Sequence, residues 1–506
     1  MKTLKYLSLS LIAAVFLNCE SDIENFRLAT EEPLPALTAG SADFSNFVAV
    51  GASFTAGFAD NALFIASQQN SFPNIMASQF ANIGGGTFNQ PLMNDNFGGL
   101  AVGGTRITDP RLVFGGAGPV PLEAVIGPVT VSTDIALNNP TGPFNNLGIP
   151  GAKSFHLIAP GYGNLSNFPA AANPYAVRVT GNAPNASIVE LAVAQSPTFF
   201  TLSEIGGNDV LGYATTGGDG SNLITDTATF DFALNTMVGA LVSTGAKGAI
   251  ANLPNITSLS YFTTVPHNPV PLDAGTAAFL NSASAYGAYN AGIVQAFAFL
   301  VANTPMTQEM ADAEIAKRTI TFAEGEGNAV VIFDESLTDL TQINPALVSM
   351  RQATAADLVV LTAASFIGTE AIPGNAQTVN GVAIPLADKW VLTPEEQEEI
   401  ATATTSYNAS ISAVASTNGL ALVDLNSVLV EASTTGINFD DYNLNTDLVF
   451  GGLVSLDGVH LTARGYALMA NEFLKAIDAT FGSNFEASGN MAKAADYPVT
   501  FSPLLP

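Results

Sequence analysis

Phe47-Val48-Ala49-Val50-Gly51-Ala52-Ser53-Phe54-Thr55-Ala56-Gly57 is the stretch whose reading decides the fold. Four apolar residues ending on a glycine read as a buried strand feeding a tight turn. The serine beyond that turn stands where a helix would begin. There its hydroxyl is exposed among backbone N–H groups that lack intrahelical partners, which suits a nucleophile attacking a carbonyl. A plain N-cap uses the same residue in the same place. Outward from this point, strands are expected at 146–149, 198–205, 248–253 and 420–425. Helices are expected at 72–83, 230–243, 277–302, 394–415 and 462–481. Thr393-Pro394-Glu395-Glu396 is a strong helix start, with Thr as N-cap, Pro at the first position and acids in the first turn. Strands alternating with helices imply an α/β fold with a parallel sheet covered on both faces. Ligands in such folds sit beyond the carboxyl ends of the strands.

Two further loops at expected strand ends carry usable side chains. Glu204-Ile205-Gly206-Gly207-Asn208-Asp209 combines glycines that permit close backbone approach with the amide donor of Asn208. Asp457-Gly458-Val459-His460-Leu461-Thr462 precedes the last helix. A histidine three residues after an aspartate can be oriented by that carboxylate while its other ring nitrogen faces a serine.

Together with Asn146-Leu147-Gly148-Ile149-Pro150-Gly151-Ala152, these segments occur in the order of the four blocks of the SGNH/GDSL hydrolase family, which the chain resembles. The resemblance implies a flavodoxin-like three-layer α/β/α fold with a mostly parallel central sheet. It also implies a Ser-His-Asp triad: Ser53 as nucleophile, His460 as general base and Asp457 orienting it. The oxyanion hole would be the backbone N–H groups of Ser53 and Gly151 with the side-chain amide of Asn208. No metal and no cofactor are implied. Ala52 departs from the family pattern, standing where the Asp of the G-D-S-L signature usually lies. The chain is also far longer between Ser53 and His460 than compact members are. The extra length falls in two insertions, about 85–145 and about 304–392, within a hydrolase domain expected over 44–485 and followed by a tail at 486–506. An apolar wall or lid for an acyl chain is expected from one of the insertions, or else simple packing elaboration.

The chain has 506 residues, 15 Lys and Arg against 43 Asp and Glu, and a formal net charge of −28. Phosphate backbones would repel it, so no nucleic-acid partner is expected. With 48% hydrophobic and only 11% charged residues it can nevertheless bury a core. Lys2 and Lys5 precede an apolar run from Tyr6 to Leu17, the order of a secretory signal over 1–18. Cys19, the single cysteine, follows directly, and Phe16-Leu17-Asn18-Cys19 resembles a bacterial lipobox. That resemblance implies a lipidated Cys19, a tether over 19–43 and an outer-membrane lipoprotein, and the acidic residues after Cys19 resemble those of surface-exposed ones. Asn438–Asp447 is rich in oxygen ligands but lacks a calcium-loop spacing and is read as structural. The expected protein is a monomeric, exported serine hydrolase cleaving carboxylic (acyl) esters, lipid-like ones foremost. The alternatives are a carbohydrate acetylesterase or a non-catalytic binding lipoprotein on the same fold.

Overall fold

The computed structural model describes residues 33–505; the signal segment expected over 1–18 and Cys19 lie outside the described residues. Five parallel strands form the central sheet: β1 (Phe47–Gly51), β2 (Asn146–Gly148), β3 (Phe199–Ser203), β4 (Lys247–Ala251) and β5 (Ala421–Val423), in the order β2-β1-β3-β4-β5. Register pairs Val50 with Leu147 and with Leu202, and Leu202 in turn with Ile250. This order switches direction between β1 and β3, and the crevice at such a switch point is where doubly wound sheets hold ligands. Every residue of β1 and β3 is buried, as strands covered on both faces must be.

Eight helices matter for the site: α1 (Ser53–Ala56), α2 (Phe72–Ala81), α3 (Ile188–Val193), α4 (Gly207–Thr215), α5 (Thr227–Val242), α6 (Pro394–Asn418), α7 (Leu425–Thr434) and α8 (Ala463–Phe481). They fall into two packing groups. Helix α2 packs on α8, with Phe72 stacked 4.8 Å from Phe473. On the other side α5 packs against α3 and α6, with Phe230 stacked 4.1 Å from Tyr407. Helix α6 begins as its sequence predicts, Thr393 Oγ1 accepting from the Glu396 N–H while Glu396 reaches back to Thr393. The strands and helices read from the sequence are present with shifted ends, and one helix is divided. The expected 277–302 helix is Ala274–Leu280 and Tyr286–Asn303, broken where the Gly287 N–H bonds to the Ser282 carbonyl.

Both insertions lie against this body. In 85–145, two short hairpins surround Arg111, a fully buried guanidinium that donates to Asn96 O and Ser502 O and lies over the Phe64 ring. In 304–392, Arg351 bridges Asp334 at 2.5 Å and Asp357 at 2.7 Å, and Trp390 stacks on Phe366. From Ala36 onward the segment expected as a tether is hydrogen-bonded to the end of α8 and beyond, through Thr38 to Asn484 and Ser41 to Phe481. Residues of the expected tail do the same elsewhere, Ala492 pairing with Asn471 and Phe501 packing on Phe64.

Candidate active site

Ser53, Gly151 and Asn208 follow the carboxyl ends of β1, β2 and β3, on adjacent strands around the switch point. The turn that delivers Ser53 tolerates no side chain at Gly51, where a Cβ would lie 2.1 Å from Thr55 Oγ1 and 2.6 Å from Ser203 O. Strand β2 meets helix α1 just as closely: a Cβ on Gly148 would lie 2.2 Å from Ala56 N. Asn146 Nδ2 fastens the two by donating to Thr55 O. Asn208 Nδ2 donates to Ala152 O at 3.0 Å, tying the third loop to the second. An amide carries two N–H donors, and no second acceptor for Asn208 is present among the described residues.

The N-terminus of α1 differs from its sequence expectation. Ser53 was expected among free N–H groups, but Glu204 accepts from Phe54 N at 2.7 Å and from both Thr55 N and Thr55 Oγ1 at 3.0 Å. Only the Ser53 N–H is left without a partner among the described residues, and the Gly151 N–H, at φ +78°, is likewise without one. Glu204 itself holds a left-handed backbone at φ +56°, a strained conformation for a non-glycine residue. Loss of water raises the pKa of its carboxyl, and the donated hydrogen bonds partly offset this. Sequence reading placed Glu204 in a turn and gave it no role; its partners lie about 150 positions away.

Asp457 and His460 form the pair their spacing predicts. Asp457 Oδ2 meets His460 Nδ1 at 2.9 Å and accepts from Asn61 N at 2.9 Å, while Oδ1 accepts from the N–H groups of Val459 and His460. Burial alone would raise this carboxyl, but the imidazole and the donated N–H groups outweigh it and hold the group well below the usual carboxylate range. A second brace was not visible in the sequence. Asp60 and Asn61 both have positive φ, 52° and 64°, and grip the same loop. Leu456 N donates to Asp60 Oδ1, and Asp60 N donates to Ser455 Oγ. Asp60 is 2% exposed, and burial pushes its carboxyl up to about 7, with the neighbouring Asp457 charge adding to the shift.

The His460 ring lies against the helix that Ser53 begins and the turn after it, its centroid 5.7 Å from Phe54 and 4.6 Å from Phe58. With Nδ1 held by Asp457, Nε2 is the nitrogen left for exchange. Neither Nε2 nor the Ser53 hydroxyl has a hydrogen bond among the described residues, so the Ser53–His460 link of the expected triad is not closed in this geometry.

Ser53, Phe54 and Asn208 border an apolar cavity of about 100 Å³. Its walls come from the loop after β4 (Leu253, Ile256), from α7 (Leu425, Leu429) and from α8 (Leu468, Met469). No lining residue belongs to 85–145 or 304–392, so the expectation of a wall or lid from an insertion is corrected at this cavity. The second insertion instead lines a separate cleft of about 460 Å³ beside Tyr286 and Tyr289, which contains none of the candidate residues. Of the other histidines, His156 accepts from Lys153 N and stacks on Tyr162, a local role. Asn438–Asp447 forms the hairpin Ile437–Phe439 with Tyr442–Leu444, and Asp440 caps Ala494 N.

Comparison with known proteins adds no relative: no family model matches the chain, and neither a curated protein nor a solved structure matches it.

Proposed function

We propose that this chain is an exported serine ester hydrolase of the SGNH/GDSL type, anchored through a lipidated Cys19 and acting on acyl esters with an apolar acyl part. The observation that carries the reading is the Asp457–His460 pair, its ring against Phe54 in the helix that Ser53 begins, with Ser53 and Phe54 bordering an apolar cavity. Ser53 Oγ would attack the acyl carbon as His460 Nε2 takes the hydroxyl proton. Asp457 would stabilise the imidazolium, and His460 would return the proton to the leaving alcohol. Water activated by the same imidazole would then release the acid. Charge developing on the acyl oxygen would meet the two unpartnered N–H groups, of Ser53 and Gly151, and the spare N–H of Asn208. Loss of one such donor lowers the rate by on the order of 10²–10³. The cavity walls, all aliphatic in their named part, favour a lipid-like acyl chain over a sugar acetate as the main substrate.

The open Ser53–His460 link favours one other reading, a binding protein on the same fold. Resting enzymes often hold such contacts loosely and tighten them around substrate. A fluorophosphonate probe separates the two. Labelling of Ser53 in the native protein and none in Ser53→Ala supports the hydrolase; a native protein that stays unlabelled sinks it. For a protein that labels, nitrophenyl esters of rising chain length report the acyl preference, and a best rate on acetate would move the substrate to acetylated sugars.

A further inference from the structure

We propose that Glu335, Asp388 and Glu396 bind a calcium ion that ties the 304–392 insertion to helix α6. One carboxylate oxygen from each lies within 4.8 Å of the others. That is the span open to oxygens about 2.3–2.6 Å from a common calcium ion. The three come from separate places: Glu335 just after the strand Val331–Phe333, Asp388 at the turn Asp388–Trp390, and Glu396 in the first turn of α6.

Two of these carboxylates carry a buried oxygen that no other group satisfies. Glu396 is 4% exposed, and its Oε1 is buried with no hydrogen-bond partner among the described residues; Asp388 Oδ1 is in the same condition. Glu396 cannot swing out to water, because its Oε2 is fixed by Thr393 N at 2.6 Å and Thr393 Oγ1 at 2.8 Å. The loop after α4 closes the cluster with bare backbone. A Cβ on Gly218 (φ +73°) would lie 2.1 Å from Glu396 Oε1, and one on Gly217 (φ +61°) would lie 2.2 Å from the Asp388 carbonyl oxygen.

The protein's own cations do not serve the cluster. Arg351 is engaged by Asp334 and Asp357, and the Lys389 ammonium lies over the Trp390 ring. Among the described residues no Lys, Arg or His forms an ion pair with Glu335, Asp388 or Glu396. The acids nearby have other partners: Asp219 holds Ser221, and Glu399 accepts from the Tyr213 hydroxyl. Without an ion, burial and mutual repulsion raise Asp388 to about 7 and Glu396 to about 8. An all-oxygen carboxylate set suits a hard cation, and zinc would prefer nitrogen or sulfur. Exposed Glu335 leaves the ion a way in.

The full chain, stripped with a chelator and dialysed, would be titrated with calcium chloride in a calorimeter and melted with and without it. Expected are one binding event per chain and a melting temperature several degrees higher with calcium. Glu335→Gln, at an exposed side chain with no hydrogen bond to lose, should weaken calcium binding by about tenfold or more. Its calcium-free melting temperature should match or exceed that of the wild type. Absence of binding heat and of any thermal shift in the wild type would overturn the site. That result together with a higher melting temperature in Asp388→Asn would identify a protonated carboxyl cluster instead. Tighter binding of magnesium than of calcium would overturn the choice of ion. Fluorophosphonate labelling of Ser53 is scored separately, so the calcium site and the hydrolase reading can fail independently.

Discussion

Asp457 and Glu396 are both buried carboxylates in one molecule, and they are treated in opposite ways. Asp457 receives three backbone N–H groups and an imidazole, and its pKa is driven down. Glu396 keeps one oxygen dry and unpartnered beside two further acids, and its pKa is driven up to about 8. Depth of burial is similar, so donors and neighbouring charges decide the charge state. A carboxylate with all its lone pairs occupied is a fixed anion that can hold an imidazolium. One with a spare oxygen among like charges is an invitation to a cation or a proton.

The largest test breaks the satisfied member. On the hydrolase reading, Asp457→Asn replaces with an amide the anion that His460 leans on, and kcat for ester hydrolysis should fall by on the order of 10³–10⁴ with KM little changed. A drop below tenfold would show that Asp457 does not orient the base. Next is the intermediate case, two buried acids neutralised by the protein's own cation. Arg351→Met strands Asp334 and Asp357 and should destabilise by about 3–5 kcal/mol in urea unfolding; a loss under 1 kcal/mol would mean that water or ions replace the guanidinium.

Asp60 tests the raised state without a cluster. Its folded carboxyl titrates at about 7, above its ordinary unfolded value, so between about pH 4 and pH 7 the folded protein binds more protons than the unfolded chain. Stability from this group is therefore full at the acid end and lost as pH rises. Relative to Asp60→Asn, which keeps an oxygen for Leu456 N, the wild type should lose on the order of 2–4 kcal/mol across that window. Parallel stability curves would show that Asp60 is ionised throughout. The smallest effect is expected from Thr462→Ala, which removes the cap that Gly465 N uses at the start of α8. It should lower stability by about 1 kcal/mol without altering the Asp457–His460 spacing, as a melting curve and a pH–rate profile together would show.

Much of this contrast was legible in the sequence on one side only. The strand before Ser53, the Thr393 cap and the Asp457–His460 spacing are local patterns, and local patterns survive into the structure. What escaped depends on partners far along the chain. Glu204 reaches Phe54, the Asp60–Asn61 turn reaches the 455–457 loop, and Glu335 meets Glu396 only after the insertion folds back. The cavity walls escaped for a different reason. Leu425, Leu429, Leu468 and Met469 have the apolar periodicity of any core-facing helix, and nothing in that pattern separates a residue facing a void from one facing a neighbour. Positive φ at Glu204 has no sequence mark at all, whereas Asp60 and Asn61 are residue types that tolerate it.

The order of the parts along the chain also sets when they come together. Ser53 and the Gly151 and Asn208 donors are made early. The histidine, its aspartate and the two helices that wall the cavity are all made after Leu420. On the hydrolase reading, any nascent or clipped chain that ends before Asp457 carries a serine with no base and half a pocket. Such a chain would be inert toward the esters of the cell that makes it.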